Sequence, residues 1–219
     1  NALNVPRLSA EELRASEPYI GLANSLGKVI AGLVTQPIER LEVSLLGKAA
    51  EAKARPVSVG ALIGLLADTV VTPVNSVNAE NIAKRQGITL IESKTEKSDG
   101  YLALVKVIAY CGDEEISLTG TLLGDKHPRL VNINQFEIEV VPEGILLVTR
   151  HADKPGVIAA ISTALGKANV NISRMQVGMA DSTEHAMAVL SISEKLDDSL
   201  LQELCQVSAV ESAIQIVLS

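Results

Sequence analysis

His151-Ala152-Asp153-Lys154-Pro155-Gly156, followed by VIAAISTALGKANVNISRMQVG over residues 157–178, is the stretch whose reading decides the fold. Val157, Ile158, Ile161, Leu165 and Ala168 recur at helical spacing, so the pattern predicts a helix from Pro155 to Ala168. Proline suits the first turn of a helix, because its φ is preset and its missing N–H has no intrahelical acceptor to serve. Asn169 can close that helix in the left-handed conformation. The apolar run Ile145 to Thr149 precedes the turn as a buried strand, and Val170–Val177 and His185–Ile192 follow as two more. Asp197–Gln206 reads as a helix with Leu200, Leu201 and Leu204 facing inward, and Val210–Leu218 as a last strand. The order is βαββαβ, a split βαβ motif.

The turn itself carries chemistry. Gly156 has no Cβ, so a ligand or another chain can approach helix N–H groups that are unpaired and partially positive, an arrangement that favours a carboxylate. Asp153 can bind an ammonium, and His151 can hydrogen-bond a hydroxyl or a carboxylate. Asn171, at the start of the next strand, is expected near the same end of the sheet with one more donor and acceptor. Together these groups complement an amino acid. Local chemistry alone is equally served by Asp153 capping the helix, His151 standing as a loop histidine and Asn171 satisfying a turn.

Working outward towards the amino end, the pattern changes near Val141-Pro142-Glu143-Gly144, where a domain boundary is expected. Before it, Ile88–Ile91, Tyr101–Tyr110, Glu115–Leu123 and Leu130–Val140 read as strands, with a hairpin turn at Cys111-Gly112-Asp113-Glu114. Ser93 to Gly100 is polar enough for a mobile loop. Ile38–Gly47 reads as a strand, Val57–Val71 as a buried helix stopped by Pro73, and Asn78–Gln86 as a shorter helix closed by Gly87. Ser9 and Glu12 form a capping-box pattern ahead of apolar residues at Ile20, Leu22, Leu26, Val29, Ile30 and Leu33. Pro18 is expected to divide a short first helix from a longer second one, and Thr35-Gln36-Pro37 to end the segment. With no partner of its own, this segment reads as the tail of a preceding domain, and the lack of an initial Met suggests a chain that starts partway through a longer one.

Composition limits the partners. Aromatic residues are 2% of the chain and the formal net charge is −7, which argues against a nucleic-acid platform, since such sites stack bases on aromatic rings and neutralise phosphates with Lys and Arg. The apolar runs are too short and too interrupted to cross a bilayer, so no membrane partner is expected. Cys111 and Cys205 stand far apart with no CxxC spacing, which fits a reducing, cytoplasmic compartment. No GxGxxG follows a strand, so no dinucleotide fold is read here. His127, His151 and His185 come without a recognisable carboxylate partner for acid/base work, and no residues show zinc-like spacing. No catalytic or metal-binding residue is therefore assigned.

HADKPGVIAAISTALGKANVNISRMQVG resembles the opening of an ACT domain, in which an xxDxPG turn precedes the first helix and VNI begins the second strand. PRLSAEELRASEPYIGLANSLGKVIAGL and SLTGTLLGDKHPRLVNIN resemble, in turn, the stretch leaving the catalytic portion and the intervening domain of long-form D-3-phosphoglycerate dehydrogenases. The resemblance implies an α+β chain in three parts. Residues 1–36 would be a helical tail of a missing catalytic portion, 37–142 an intervening α/β-sandwich-like, allosteric substrate-binding-like domain, and 143–219 a ferredoxin-like ACT domain. It also implies NAD for the missing portion, L-serine as feedback effector, and homo-oligomers in which ACT domains pair edge to edge. The effector residues carried over are His151, Asp153 and Gly156, with Asn171 reaching across from a second subunit. Met179 departs from the pattern, since many relatives carry Arg after Gly178. Some members hold a second anion in the intervening domain, for which Lys94, Lys97, Lys126 and Arg129 are the cations available.

Two rival readings remain open. Iron–sulfur L-serine dehydratases also join a similar intervening domain to an ACT domain, although their serine- and histidine-rich signature is absent and two distant cysteines make no cluster ligand set. An ACT domain used only for oligomerisation is the other.

Overall fold

The structure, a computed structural model, describes residues 10–180 and 184–218. The first helix, α1 (Ala10–Leu33), is continuous and carries Pro18 inside it, so the expected division at Pro18 does not occur. One missing hydrogen bond does not end this helix, because Tyr19, Leu22, Ala23, Leu26, Val29 and Ile30 are buried along one side and tertiary packing holds it. The expected capping residue Ser9 lies outside the described residues. The helix also has a partner that the sequence reading did not find. It packs along α2 (Ala54–Leu66), which starts earlier and stops sooner than the apolar pattern indicates and is buried over most of its surface, as expected.

The two helices approach backbone to backbone. A Cβ added at Gly64 would stand 2.0 Å from the Asn24 carbonyl oxygen, and one at Gly27 would stand 2.1 Å from that of Ala61. Side-chain-free positions on both helices are what permit this spacing, and the Asn24 side-chain amide donates to the Gly60 carbonyl across it at 3.3 Å.

Under these helices lies a six-stranded sheet ordered β2-β1-β3-β4-β5-β6, built from β1 (Arg40–Gly47), β2 (Thr89–Thr95), β3 (Ala103–Cys111), β4 (Glu114–Leu123), β5 (His127–Ile133) and β6 (Phe136–Val140). Only β1 and β2 run parallel, because a 3-10 turn (Lys48–Glu51), α2 and α3 (Ala79–Arg85) supply the crossover between them. Leu41, Val43 and Leu45 alternate inward along β1. The β3–β4 hairpin turns at Gly112 as expected. Two expectations are corrected here. Strand β2 runs on to Thr95, which removes Ser93–Thr95 from the polar loop, and the Ser93 and Ser44 hydroxyls bond at 2.7 Å across the ladder. Residues 130–140 form two strands, because Asn134 takes φ 51° and its side-chain oxygen accepts from the Ser117 amide, closing a turn within the run.

At 141–143 the chain leaves this sheet and enters a second one, ordered β10-β7-β9-β8. Its elements are β7 (Gly144–Ala152), α4 (Val157–Lys167), β8 (Ile172–Met179), β9 (His185–Ile192), α5 (Asp198–Gln206) and β10 (Val210–Leu218), the expected βαββαβ order with every strand pair antiparallel. Asn169 closes α4 at φ 59° as read, and Asp197 caps α5 by accepting from the Leu200 amide. One face of this sheet, through Leu147, Ala188 and Leu190, packs on α4 and α5. The opposite face, through Leu146, Val148, Met187, Val189 and Ile216, joins the core of the first unit, against β6 and α1. That second cover explains why β9 is buried over nearly its whole length.

Candidate functional site

Strand β7 is longer than its apolar run suggests and ends only at Ala152, so His151 is a strand residue and not a loop residue. Alternation puts it on the same face as Leu147 and Thr149, opposite Ala186 on β9, and it is 2% exposed. Its Nδ1 lies 3.1 Å from the Ala152 carbonyl oxygen, while its Nε2 is buried with no hydrogen-bond partner among the described residues. A proton on Nδ1 donated to that carbonyl leaves Nε2 as an acceptor waiting for a donor.

Past β7, the Asp153 amide donates to the Glu184 carbonyl at 2.8 Å, and its exposed carboxylate leaves the helix uncapped. Gly156 is the N-cap of α4 at φ 91°, a conformation that penalises any residue with a Cβ, and no side chain caps the helix there. Pro155 therefore stands before the helix and not in its first turn, since the left-handed residue after it must redirect the chain before Val157 can begin the helix. The first-turn amides and the positive end of the helix dipole remain available to an anion.

His151, Asp153 and Gly156 are thus brought together, but Asn171 is not. Ile172 pairs with Ile192, which pairs with Ile145, whereas His151 pairs with Ala186, which pairs with Met179. Asn171 therefore lies at the opposite end of the sheet, about 20 Å from His151 at the usual rise of a strand. The crossover through α4 is the reason, since it carries the chain from the end of β7 back to the other end of the sheet, where β8 starts parallel to β7. There the Asn171 amide donates to the Ser193 hydroxyl at 3.0 Å, and its carbonyl accepts from the Ser193 amide at 3.0 Å. Asn171 is exposed, at the start of the edge strand β8.

On the other face of the β7 end, Glu211 of β10 lies 2.9 Å from the Arg150 guanidinium and 2.6 Å from His185 Nδ1. This group escapes the sequence reading, because Glu211 arrives from the last strand and nothing in its local pattern marks it. The four cations considered for a second anion share one end of the six-stranded sheet without converging. Lys94 lines a cavity of about 980 Å³. Lys97 follows the end of β2, Lys126 lies in the β4–β5 turn, and Arg129 pairs with Glu139 at 3.6 Å. Lys94 and Lys97 belong to the β2 end while Lys126 and Arg129 belong to the β4–β5 end, with β1 and β3 between them in the sheet. Among the described residues, no group of three His, Cys, Asp or Glu could hold a metal ion, and no helix is long and apolar enough to cross a membrane.

Fold and turn together define a protein with an ACT domain, here packed on a mixed six-stranded sheet; the family model for the ACT domain matches residues 144–209. The family model described as the D-3-phosphoglycerate dehydrogenase intervening domain matches residues 15–134, and the chain belongs to that family. Among its relatives, a D-3-phosphoglycerate dehydrogenase of Synechocystis is 36% identical over 100% of this chain, one of Bacillus subtilis 29% over 97%, and one of Methanocaldococcus jannaschii 27% over 96%. The chain spans about 40% of the length of each of these relatives.

Proposed function

We propose that this chain is the regulatory region of a D-3-phosphoglycerate dehydrogenase, and that L-serine, bound at the turn between β7 and α4, is the effector through which serine biosynthesis restrains its own first step. The observation that carries this reading is the buried Nε2 of His151, without a partner among the described residues, beside an uncapped helix start. Serine brings each missing complement. Its carboxylate suits the first-turn amides of α4, its ammonium suits Asp153, and its hydroxyl can donate to His151.

Asn171 completes the site from a second copy. If the exposed edge β8 pairs antiparallel with its symmetry mate, the start of one β8 faces the end of the other, which places Asn171 of one copy towards the β7 end of its neighbour. Such pairing also removes two unpaired strand edges. Serine bridging the copies would favour one relative arrangement of them, and its differential affinity for the two arrangements sets the size of the response. NAD and the oxidation of 3-phosphoglycerate would belong to the dinucleotide-binding portion of the whole enzyme, which acts in the cytoplasm, where Cys111 and Cys205 stay reduced.

Titration calorimetry with L-serine tests the reading. Binding should appear with the native chain and weaken by about tenfold or more, equivalent to about 1.4 kcal/mol, in both Asp153→Ala and Asn171→Ala. Unchanged affinity in the two variants would sink the assignment, and no heat with the native chain would leave oligomerisation as the role of the ACT domain.

A further inference from the structure

We propose that the cavity where the start of α1 meets one end of the six-stranded sheet is a second small-molecule site, built for a free zwitterion such as an α-amino acid and separate from the turn after β7. Arg14, Pro18 and Tyr19 of α1, Lys48 and Glu51 of the 3-10 turn, and Asp125 of the β4–β5 turn line this cavity of about 270 Å³. Pockets for drug-sized ligands run from about 300 to 1,000 Å³, so this one suits a ligand of few heavy atoms. Lys48 and Glu51 also line the adjoining cleft of about 980 Å³, which offers a route in from solvent.

Its charges are of both signs and only half compensated. Lys48 Nζ lies 3.5 Å from the Asp125 carboxylate, whereas no ion pair joins Arg14 or Glu51 to another described residue. A neutral group adds polar capacity. Tyr19 is 8% exposed, and its hydroxyl has no hydrogen-bond partner among the described residues. Burial, with Asp125 and Glu51 nearby, pushes that phenol's pKa up, so it is a hydroxyl that can donate and accept at neutral pH.

A ligand carboxylate on Arg14 and a ligand ammonium on Glu51 pair both uncompensated charges, and the Tyr19 hydroxyl supplies a further acceptor for the ammonium. A plain anion would bring negative charge up to Glu51, and a plain amine would bring positive charge up to Arg14. Both are therefore poorer ligands than a molecule carrying the two groups together.

The test uses the whole chain with Asp153→Ala, which weakens the turn after β7, and follows the ring signals of its three tyrosines by NMR during titration with glycine, acetate or methylammonium. Glycine should shift the Tyr19 signals saturably, at about tenfold lower concentration than acetate or methylammonium, and Arg14→Ala and Glu51→Gln should each weaken that response by about tenfold or more. No saturable shift of Tyr19, a response that neither substitution alters, or equal responses to glycine and acetate would overturn the proposal. Since the readout is Tyr19 and not serine binding at the turn, the outcome is independent of whether the turn holds serine.

Discussion

His151 is held with one ring nitrogen bonded and the other buried without a partner among the described residues. Leaving a buried acceptor unmet costs about 1–3 kcal/mol, a cost a ligand donor would remove. His151→Phe, which fills a similar space without the stranded nitrogen, should therefore leave thermal stability equal or higher while abolishing the calorimetric response to L-serine. Lower stability together with retained binding would show that the imidazole serves packing alone. Cys111 is a second residue whose environment makes a prediction. Burial first, then Glu114 and Glu39, raises its thiol pKa in the folded chain. The unfolded chain thus loses this proton at lower pH than the folded one, so the contribution is complete below the ordinary thiol range and stability falls as pH rises through and beyond it. Denaturant midpoints measured from neutral pH to about pH 10, above the usual thiol value of about 8.5, should decline less steeply in Cys111→Ala than in the native chain.

At the scale of elements, the α1–α2 pair is the tightest constraint. A side chain at Gly64 would meet the Asn24 backbone, and a carbonyl cannot swing away as a flexible side chain can. Gly64→Ala should cost about 3 kcal/mol or more, read as a lowered denaturation midpoint. Gly21, on the same α1, has nothing within 4 Å of its Cβ position, so Gly21→Ala should be neutral or stabilising by about 0.5–1 kcal/mol through helix propensity alone. Equal losses at the two positions would mean that helix contact is not what Gly64 serves.

At the scale of the molecule, one hydrophobic core runs from α1 through the first sheet into the second. If second sheets of two copies pair, a change in that pairing bears on α1 through packed side chains. If the site is shared between copies, mixing Asp153→Ala chains with Asn171→Ala chains and allowing exchange restores serine binding, because a mixed pair holds one site with both native residues. Random mixing would recover about a quarter of the native sites, half the pairs being mixed and each having one good site of two. A site made within one chain would recover none, and calorimetric stoichiometry distinguishes the cases.

Local pattern was enough for much of this. The period of Val157, Ile161 and Leu165, the left-handed Asn169 and the βαββαβ order are all consequences of short-range sterics and amphipathicity, which a sequence carries in its own spacing. The second sheet is covered on both faces, which buries β9 over nearly its whole length. What covers the second face depended on contacts between residues far apart in the chain, and so did the continuity of α1 through Pro18. The same holds at the site. The grouping of His151, Asp153 and Gly156 follows from their adjacency, whereas the depth of His151, its stranded nitrogen and the removal of Asn171 to the far end of the sheet are set by strand register and packing. No local pattern encodes register, because it is settled only when strands distant in sequence meet.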